Sequence, residues 1–287
     1  MVINMVSQKL DILTESSDLK KQGNAIPKIT TPKLEIKDVG KIFKTKSGET
    51  VALEKTSFTV EDGEFVTILG PSGCGKSTIL RIVAGLEEST SGQVLLDGQE
   101  INGPGPDRGM VFQSYTLFPW LNVKDNITFG LKLKGVPQKE RDDLARYYLQ
   151  LIGLTGFEKH YPIQLSGGMK QRVAIARALA NDPKILIMDE PFGALDAQTR
   201  TIMQEVLLKA WEESKKTILF ITHDVDESIF LADSVYVMTA RPGRLKKKIP
   251  ITLERPREYS MKSTVEFGNY KEELLSLIRE ESLKSIH

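Results

Sequence analysis

One stretch sets the terms for the whole chain: Gly70-Pro71-Ser72-Gly73-Cys74-Gly75-Lys76-Ser77-Thr78. An apolar run from Glu64 to Leu69 precedes it, and a helical pattern from Ile79 to Ala84 follows it. A strand that breaks into a glycine-rich turn and re-emerges as a helix leaves backbone N–H groups facing whatever fills the turn. With a lysine and a hydroxyl residue at its far end, such a turn cradles polyphosphate. Lys76 adds a compact charge at the β- and γ-phosphates, and Ser77 offers its hydroxyl to Mg²⁺. The rest of the chain is expected to complete this ATP site or to transmit its state.

Composition narrows the setting. The 287 residues are enough for a sizeable buried core. A formal net charge of +1 with no basic tail makes nucleic acid an unexpected partner. The single cysteine, Cys74, excludes an internal disulfide and a cysteine-built metal site. No run reaches the ~18 apolar residues of a membrane span. Asp11, Glu15, Asp18, Lys20 and Lys21 interrupt any apolar signal core near the start. The expected location is cytoplasmic, with a membrane reached by docking on an integral partner.

Residues 1–33 read as a flexible leader, a partner-binding arm being the other reading. Leu34 to Val39, Val51 to Leu53, Ser57 to Val60 and Gln93 to Leu96 read as strands, with turns at Lys46–Thr50, Glu61–Gly63 and Asp97–Gly98. They predict a small, largely antiparallel sheet around the loop-bearing strand. Phe43 in that sheet either packs inward or stacks on a base. Residues 104–135 read as loop-rich, with Pro104, Pro106 and Pro119. Within them, Tyr115, Leu117, Phe118, Trp120 and Leu121 make either a local core or a docking surface.

Lys139 to Ile152 reads as an amphipathic helix with Leu144, Tyr147, Tyr148 and Leu151 on one side. Ser166-Gly167-Gly168 opens a further helix, where free N–H groups can hold an anion. Ile185 to Glu190 is a buried-type strand ending in two acids. Carboxylates at the C-terminal edge of such a strand are placed for ligand work, and a phosphate loop needs Mg²⁺ with oxygen ligands. Ile202, Met203, Val206, Leu207 and Ala210 repeat at helical spacing and read as core-facing. Thr217 to Thr222 is a strand that runs into His223-Asp224, and Val235 to Thr239 is another. Pro242-Gly243 turns into a basic run, Arg244 to Lys248, read as a solvated face, and Tyr270 to Leu283 reads as an amphipathic helix.

In this order the motifs closely resemble those of the ATP-binding subunit of an ABC transporter. The resemblance rests on the phosphate loop, Gln113, Leu165 to Arg172, Asp189-Glu190, Gly193-Ala194-Leu195-Asp196 and His223, and covers residues 34–250. It implies an α/β fold: a P-loop NTPase of ABC type with a RecA-like core, a small antiparallel β subdomain and an α-helical subdomain. The expected division is a leader to residue 33, an ATP-binding domain over 34–255 with the helical subdomain at about 114–165, and a helical tail over 256–287.

By the same resemblance, Phe43 stacks on adenine and the whole loop from Gly70 to Thr78 binds the nucleotide. Gln113 reaches the Mg²⁺ and water region, Asp189 supports Mg²⁺, Glu190 is the general base, and His223 contacts the γ-phosphate. Ser166, Gly167 and Gly168 cap the ATP held by the opposite subunit, and Asp196 crosses that interface. Implied partners are a second ATP-binding subunit, an integral membrane permease contacted around residues 113–135, and an external solute-binding protein. Phe118-Pro119-Trp120, Met238 to Arg244 and Glu254-Arg255-Pro256-Arg257 resemble the subgroup importing nitrate, sulfonates, taurine or bicarbonate. Import of a thiamine precursor or polyamine, or a soluble ABC ATPase outside transport, are the competing readings.

Overall fold

The computed structural model describes residues 31–45 and 48–284. The leader lies outside this range up to residue 30, as do Lys46 and Ser47 of the first expected turn. Six strands form the central sheet: β3 (Phe65–Leu69), β6 (Arg108–Val111), β7 (Ile185–Asp189), β8 (Thr217–Thr222), β9 (Ser234–Met238) and β10 (Leu245–Pro250). Their order is β10-β9-β3-β8-β7-β6, all parallel except β10, which runs antiparallel along β9. Every residue of β3, β7, β8 and β9 is buried, as expected when both faces of a parallel sheet are covered.

Successive strand residues serve opposite cores, because side chains alternate across a sheet. Ile185 and Ile187 pack with helix α1 (Lys76–Val83), and Leu186 and Met188 pack on the other face. The α1 side also receives a second sheet of four antiparallel strands, β1 (Leu34–Thr45), β2 (Gly48–Val60), β4 (Ser91–Leu96) and β5 (Gln99–Glu100), in the order β2-β1-β4-β5. The opposite face is covered by α5 (Ala197–Ser214), α6 (Val225–Leu231) and α7 (Val265–Lys284). A third core joins α2 (Val123–Leu133), α3 (Gln138–Leu151) and α4 (Gly167–Ala180).

Several expectations change. The loop-rich stretch contains α2, capped by Asn122, whose side chain accepts from Asp125 N at 2.7 Å. Val123, Ile127 and Leu131, one turn apart, supply its buried stripe. Gly130 in its last turn allows a close crossing, since a Cβ there would lie 1.8 Å from Asn181 Oδ1. On α3 the buried side is Ala145 and Leu149, with Leu144 and Tyr148 flanking; Tyr147 instead turns outward and donates to Glu213 at 2.9 Å. Ile202 is also exposed, so the core face of α5 is Met203, Leu207, Ala210 and Trp211. The basic run is an edge strand, and its lysines are paired: Lys246 with Glu280 and Glu281, Lys247 with Glu273, Lys248 with Glu64. Charged edge strands resist pairing with other chains.

Candidate nucleotide site

The phosphate loop sits between β3 and α1, at the C-terminal edge of the parallel sheet where open α/β sheets bind ligands. Gly73 (φ 74°) and Gly75 (φ 99°) take left-handed backbone, which an L side chain enters only with strain. A Cβ on Gly75 would also lie 2.7 Å from Leu53 Cδ2, and one on Gly243 would lie 1.8 Å from Cys74 O. The loop is therefore wedged between β2 and the turn at Pro242-Gly243. Backbone bonds tie those two walls together, Gly243 N to Ala52 O at 3.0 Å and Glu54 N to Gly243 O at 2.9 Å. The sequence marks Pro242-Gly243 only as a turn; its packing on the loop comes from tertiary structure.

Lys76 is 6% exposed, and its ammonium donates to Gly70 O at 2.8 Å and Pro71 O at 3.0 Å. Ser77 Oγ donates to Asp189 Oδ1 at 3.0 Å, joining the loop to the end of β7. Burial pushes the Asp189 carboxyl above the ordinary carboxylate range and neighbouring Glu190 adds to this, while the Ser77 bond opposes it. Glu190 follows in left-handed backbone (φ 41°), with its N–H bonded to Ile221 O at 3.0 Å. Its Oε2 lies 3.1 Å from His223 Nδ1. A Cβ on Gly193 would be 3.7 Å from Gln113 Nε2 and 3.8 Å from Glu190 Oε2, so those two groups flank one glycine.

Lys76, Ser77, Asp189, Glu190, His223 and Gln113 thus gather along the edges of β3, β6, β7 and β8. Cys74 faces the other way: it is 1% exposed within the α1 core, and burial pushes its thiol pKa up. Its side chain is packing, leaving only its backbone to line the loop. Phe43 stands on β1, 36% exposed, with Lys41 Nζ 5.0 Å from its ring centre. Pro71, Ser72 and Thr78 complete the loop and the first turn of α1.

Ser166, Gly167 and Gly168 belong to a different element. Ser166 caps α4, accepting from Met169 N at 3.3 Å. A Cβ on Gly167 would lie 2.6 Å from Tyr115 OH, and one on Gly168 would lie 2.6 Å from Thr199 Cγ2, so both glycines admit close neighbours. Asp196 caps α5 through Thr199 N at 2.9 Å, and that bond holds its carboxyl below the usual range. The segment carrying Tyr115 and Trp120 is built on two side chains. Asn126, fully buried, bonds Phe118 N and the carbonyls of Phe118, Leu121 and Asn122. Arg177 bonds Thr116 O at 2.8 Å. Trp120 stays 69% exposed at the tip. A single-sequence reading passes over Asn126 and Arg177, whose polar types signal nothing until the loop folds over them.

The family model for ABC transporters matches residues 53–193. An ABC transporter ATP-binding protein of Methanocaldococcus jannaschii is 54% identical over 254 residues, spanning 88% of this chain and 94% of that one. The nitrate import ATP-binding protein of Synechocystis is 53% identical over 252 residues (86% and 95%). The aliphatic sulfonates import ATP-binding protein of Bacillus anthracis is 48% identical over 228 residues (79% and 90%). Among solved structures, a dimeric post-hydrolysis ATP-binding cassette bound to ADP and Pi superposes with a TM-score of 0.67 at 34% identity, covering 77% of this chain and 100% of that one. The fold, the phosphate loop and these relatives together show that the chain belongs to the ABC transporter family, as an ATP-binding subunit with the cassette fold.

Proposed function

We propose that two ATP-binding subunits, this chain with a second copy or a homologous one, sandwich ATP and use its hydrolysis to drive import of a small anion through an integral membrane permease. The anion is of the nitrate, sulfonate/taurine or bicarbonate type, a reading supported by the import proteins among the relatives. An external solute-binding protein delivers it, and the subunit works from the cytoplasmic face of the membrane. Among the described residues no helix is long and apolar enough to cross a membrane.

One observation carries the catalytic part: the Ser77–Asp189 bond at 3.0 Å beside the Glu190–His223 contact at 3.1 Å. Phosphoryl transfer calls for charge neutralisation and an aligned water rather than covalent chemistry. Lys76 neutralises the β- and γ-phosphates, Glu190 takes a proton from the attacking water, and His223 orients Glu190 and meets the γ-phosphate. Gln113 helps to hold that water. The donor set fits Mg²⁺: a hydroxyl and a carboxylate, both oxygen, the carboxylate uncomfortable in its buried place without a cation. Ser77 and Asp189 would hold the ion, and once bound it offsets the charge of the phosphate oxygens. Phe43 stacks on adenine, and Ser166, Gly167 and Gly168 cap the other subunit's ATP.

Glu190→Gln tests the assignment. It should bind ATP, lose steady turnover, and accumulate as a nucleotide-bound dimer in size-exclusion chromatography with light scattering. Normal steady turnover would reject the general-base role, and full first-order turnover from a demonstrated monomer would reject the sandwich. Transport by the co-purified permease complex, with nitrate, taurine and bicarbonate compared, decides the solute.

A further inference from the structure

Helix α6, which follows His223, is gripped at both ends by the C-terminal segment. At its C-terminal end Arg257, 5% exposed, donates to the carbonyls of Ile229 (2.9 Å), Phe230 (3.1 Å) and Ala232 (2.7 Å). Arg255 donates to Leu231 O at 2.8 Å and pairs with Asp233 at 2.8 Å. Cations belong at the end of a helix where carbonyls are left without partners.

The N-terminal end carries acids, again the favoured sign. Lys271 lies 2.8 Å from Asp226. Lys262 Nζ donates to Gln204 Oε1 at 3.1 Å, and Gln204 Nε2 donates to Glu227 Oε1 at 3.0 Å. Gln204 and Glu227 are 2% and 4% exposed, so neither finds water if the relay breaks. Glu227 N in turn donates to Asp224 Oδ1 at 3.1 Å, Asp224 Oδ2 meets Arg200 at 3.3 Å, and Asp224 N donates to Thr222 Oγ1 at 3.0 Å. Polar contacts therefore run without a gap from Lys262 to the residue next to His223. Glu190, His223, Asp224 and Glu227 also line one small cleft together with Arg200 and Thr222.

We propose that Lys262, supplied by the C-terminal segment, is a positioning residue for ATP hydrolysis: through Gln204 and Glu227 it fixes the first turn of α6, and with it the orientation of His223 against Glu190. This rests on the reading of His223 as the residue that meets the γ-phosphate. The segment beyond the ATP-binding core thereby becomes part of the machinery, and displacing it would slow turnover without touching the nucleotide pocket.

Lys262→Met removes the charge and the donors, and with them the contacts of the ammonium with the rings of Phe230 and Tyr259, each 4.8 Å from Nζ to centroid. The expected result is a kcat about fivefold lower with an unchanged KM for ATP, the effect of losing one positioning hydrogen bond. Lys262→Arg should restore most of it. The chain has three histidines, so imidazole NMR signals can be assigned; those of His223 should shift in Lys262→Met while those of His160 stay. Unchanged kcat and unchanged His223 signals overturn the proposal, and so does a lower melting temperature with kcat intact. Should Lys262→Met not fold, Gln204→Leu cuts the same relay and carries the same expectations. His223→Ala separates the two readings. Full turnover in that variant sinks the role of His223 itself; lost turnover there, beside wild-type behaviour in Lys262→Met, sinks only the brace.

Discussion

Lys76 in the phosphate loop and Lys246 on the edge strand are both withdrawn from water, yet their charges are treated in opposite ways. The hydrogen-bond acceptors of Lys76 are neutral, the carbonyls of Gly70 and Pro71. Lys246 lies 2.7 Å from both Glu280 and Glu281. Burial works against its charge, but the two carboxylates outweigh that and hold its ammonium pKa above the ordinary lysine value. Carbonyl dipoles orient a cation without cancelling it, which suits the proposed role of Lys76 at the phosphates. Carboxylates cancel the charge of Lys246, and what remains is a clasp joining α7 to the sheet. Lys76 is the more deeply buried of the two; the charge of the groups that each ammonium touches separates the proposed binding lysine from the structural one.

Substitutions at the two sites test this contrast. Lys76→Met should lower ATP turnover about a hundredfold to a thousandfold, the usual scale for removing a preorganised charge from a phosphoryl-transfer site, with little change in melting temperature. A large loss of stability there would mean that its charge is structural after all. Glu281→Ala should do the reverse. Glu281 is 2% exposed and accepts from Lys246, Lys284 and the Ala240 N–H; its loss leaves that N–H without its acceptor and both lysines with Glu280 alone, and should cost about 1–2 kcal/mol in urea unfolding, with kcat unchanged.

Acid titration sharpens the same point at smaller amplitude. Burial alone would raise the Glu281 carboxyl, but bonds from Lys246, Lys284 and Ala240 N hold it down to about 2. A carboxyl depressed on folding stabilises the native state fully above its unfolded value near 4.5 and loses that contribution as pH falls toward 2. Glu281→Gln should therefore be destabilised near neutrality and should close the gap with the parent chain as pH drops through that window, read by chemical denaturation. A gap that stays constant across the window would remove the clasp from the comparison. The smallest expected effect is at Cys74: buried and with a raised pKa, the one thiol of the chain should resist alkylating reagents until the protein unfolds. Rapid labelling of the folded chain would place that side chain in the loop rather than in the core.

The parts legible in advance share a physical cause. The phosphate loop, the buried strands and Asp189-Glu190 are short-range patterns, in which neighbours in sequence decide the outcome. Helix α2 was hidden because its signal, Asn122 as a cap with Val123, Ile127 and Leu131 behind it, follows a proline- and glycine-rich stretch and itself contains Gly130. The basic run reads as a solvated face because four like charges in five residues normally stay in water, and Lys247 and Lys248 are indeed exposed; hidden from the sequence are the glutamates from α7 and Glu64 that come from far along the chain to meet the lysines. Tyr147 and Ile202 failed for a related reason. Helical spacing defines a face, but the packing partner decides how wide the buried stripe is.

By itself, then, the order of residues determined a phosphate-binding turn, a parallel sheet buried on both faces and a pair of acids at its edge, since each follows from backbone geometry and local hydrophobic pattern. Tertiary structure alone decided that Asp189 would meet Ser77, that the turn at Gly243 would close on Cys74, and that Arg255, Arg257 and Lys262 would grip the helix behind His223. Those pairings join residues tens of positions apart. Which of many possible charges and carbonyls come together depends on how the two sheets and the helices stack, a choice made by the whole core and not by any segment of it.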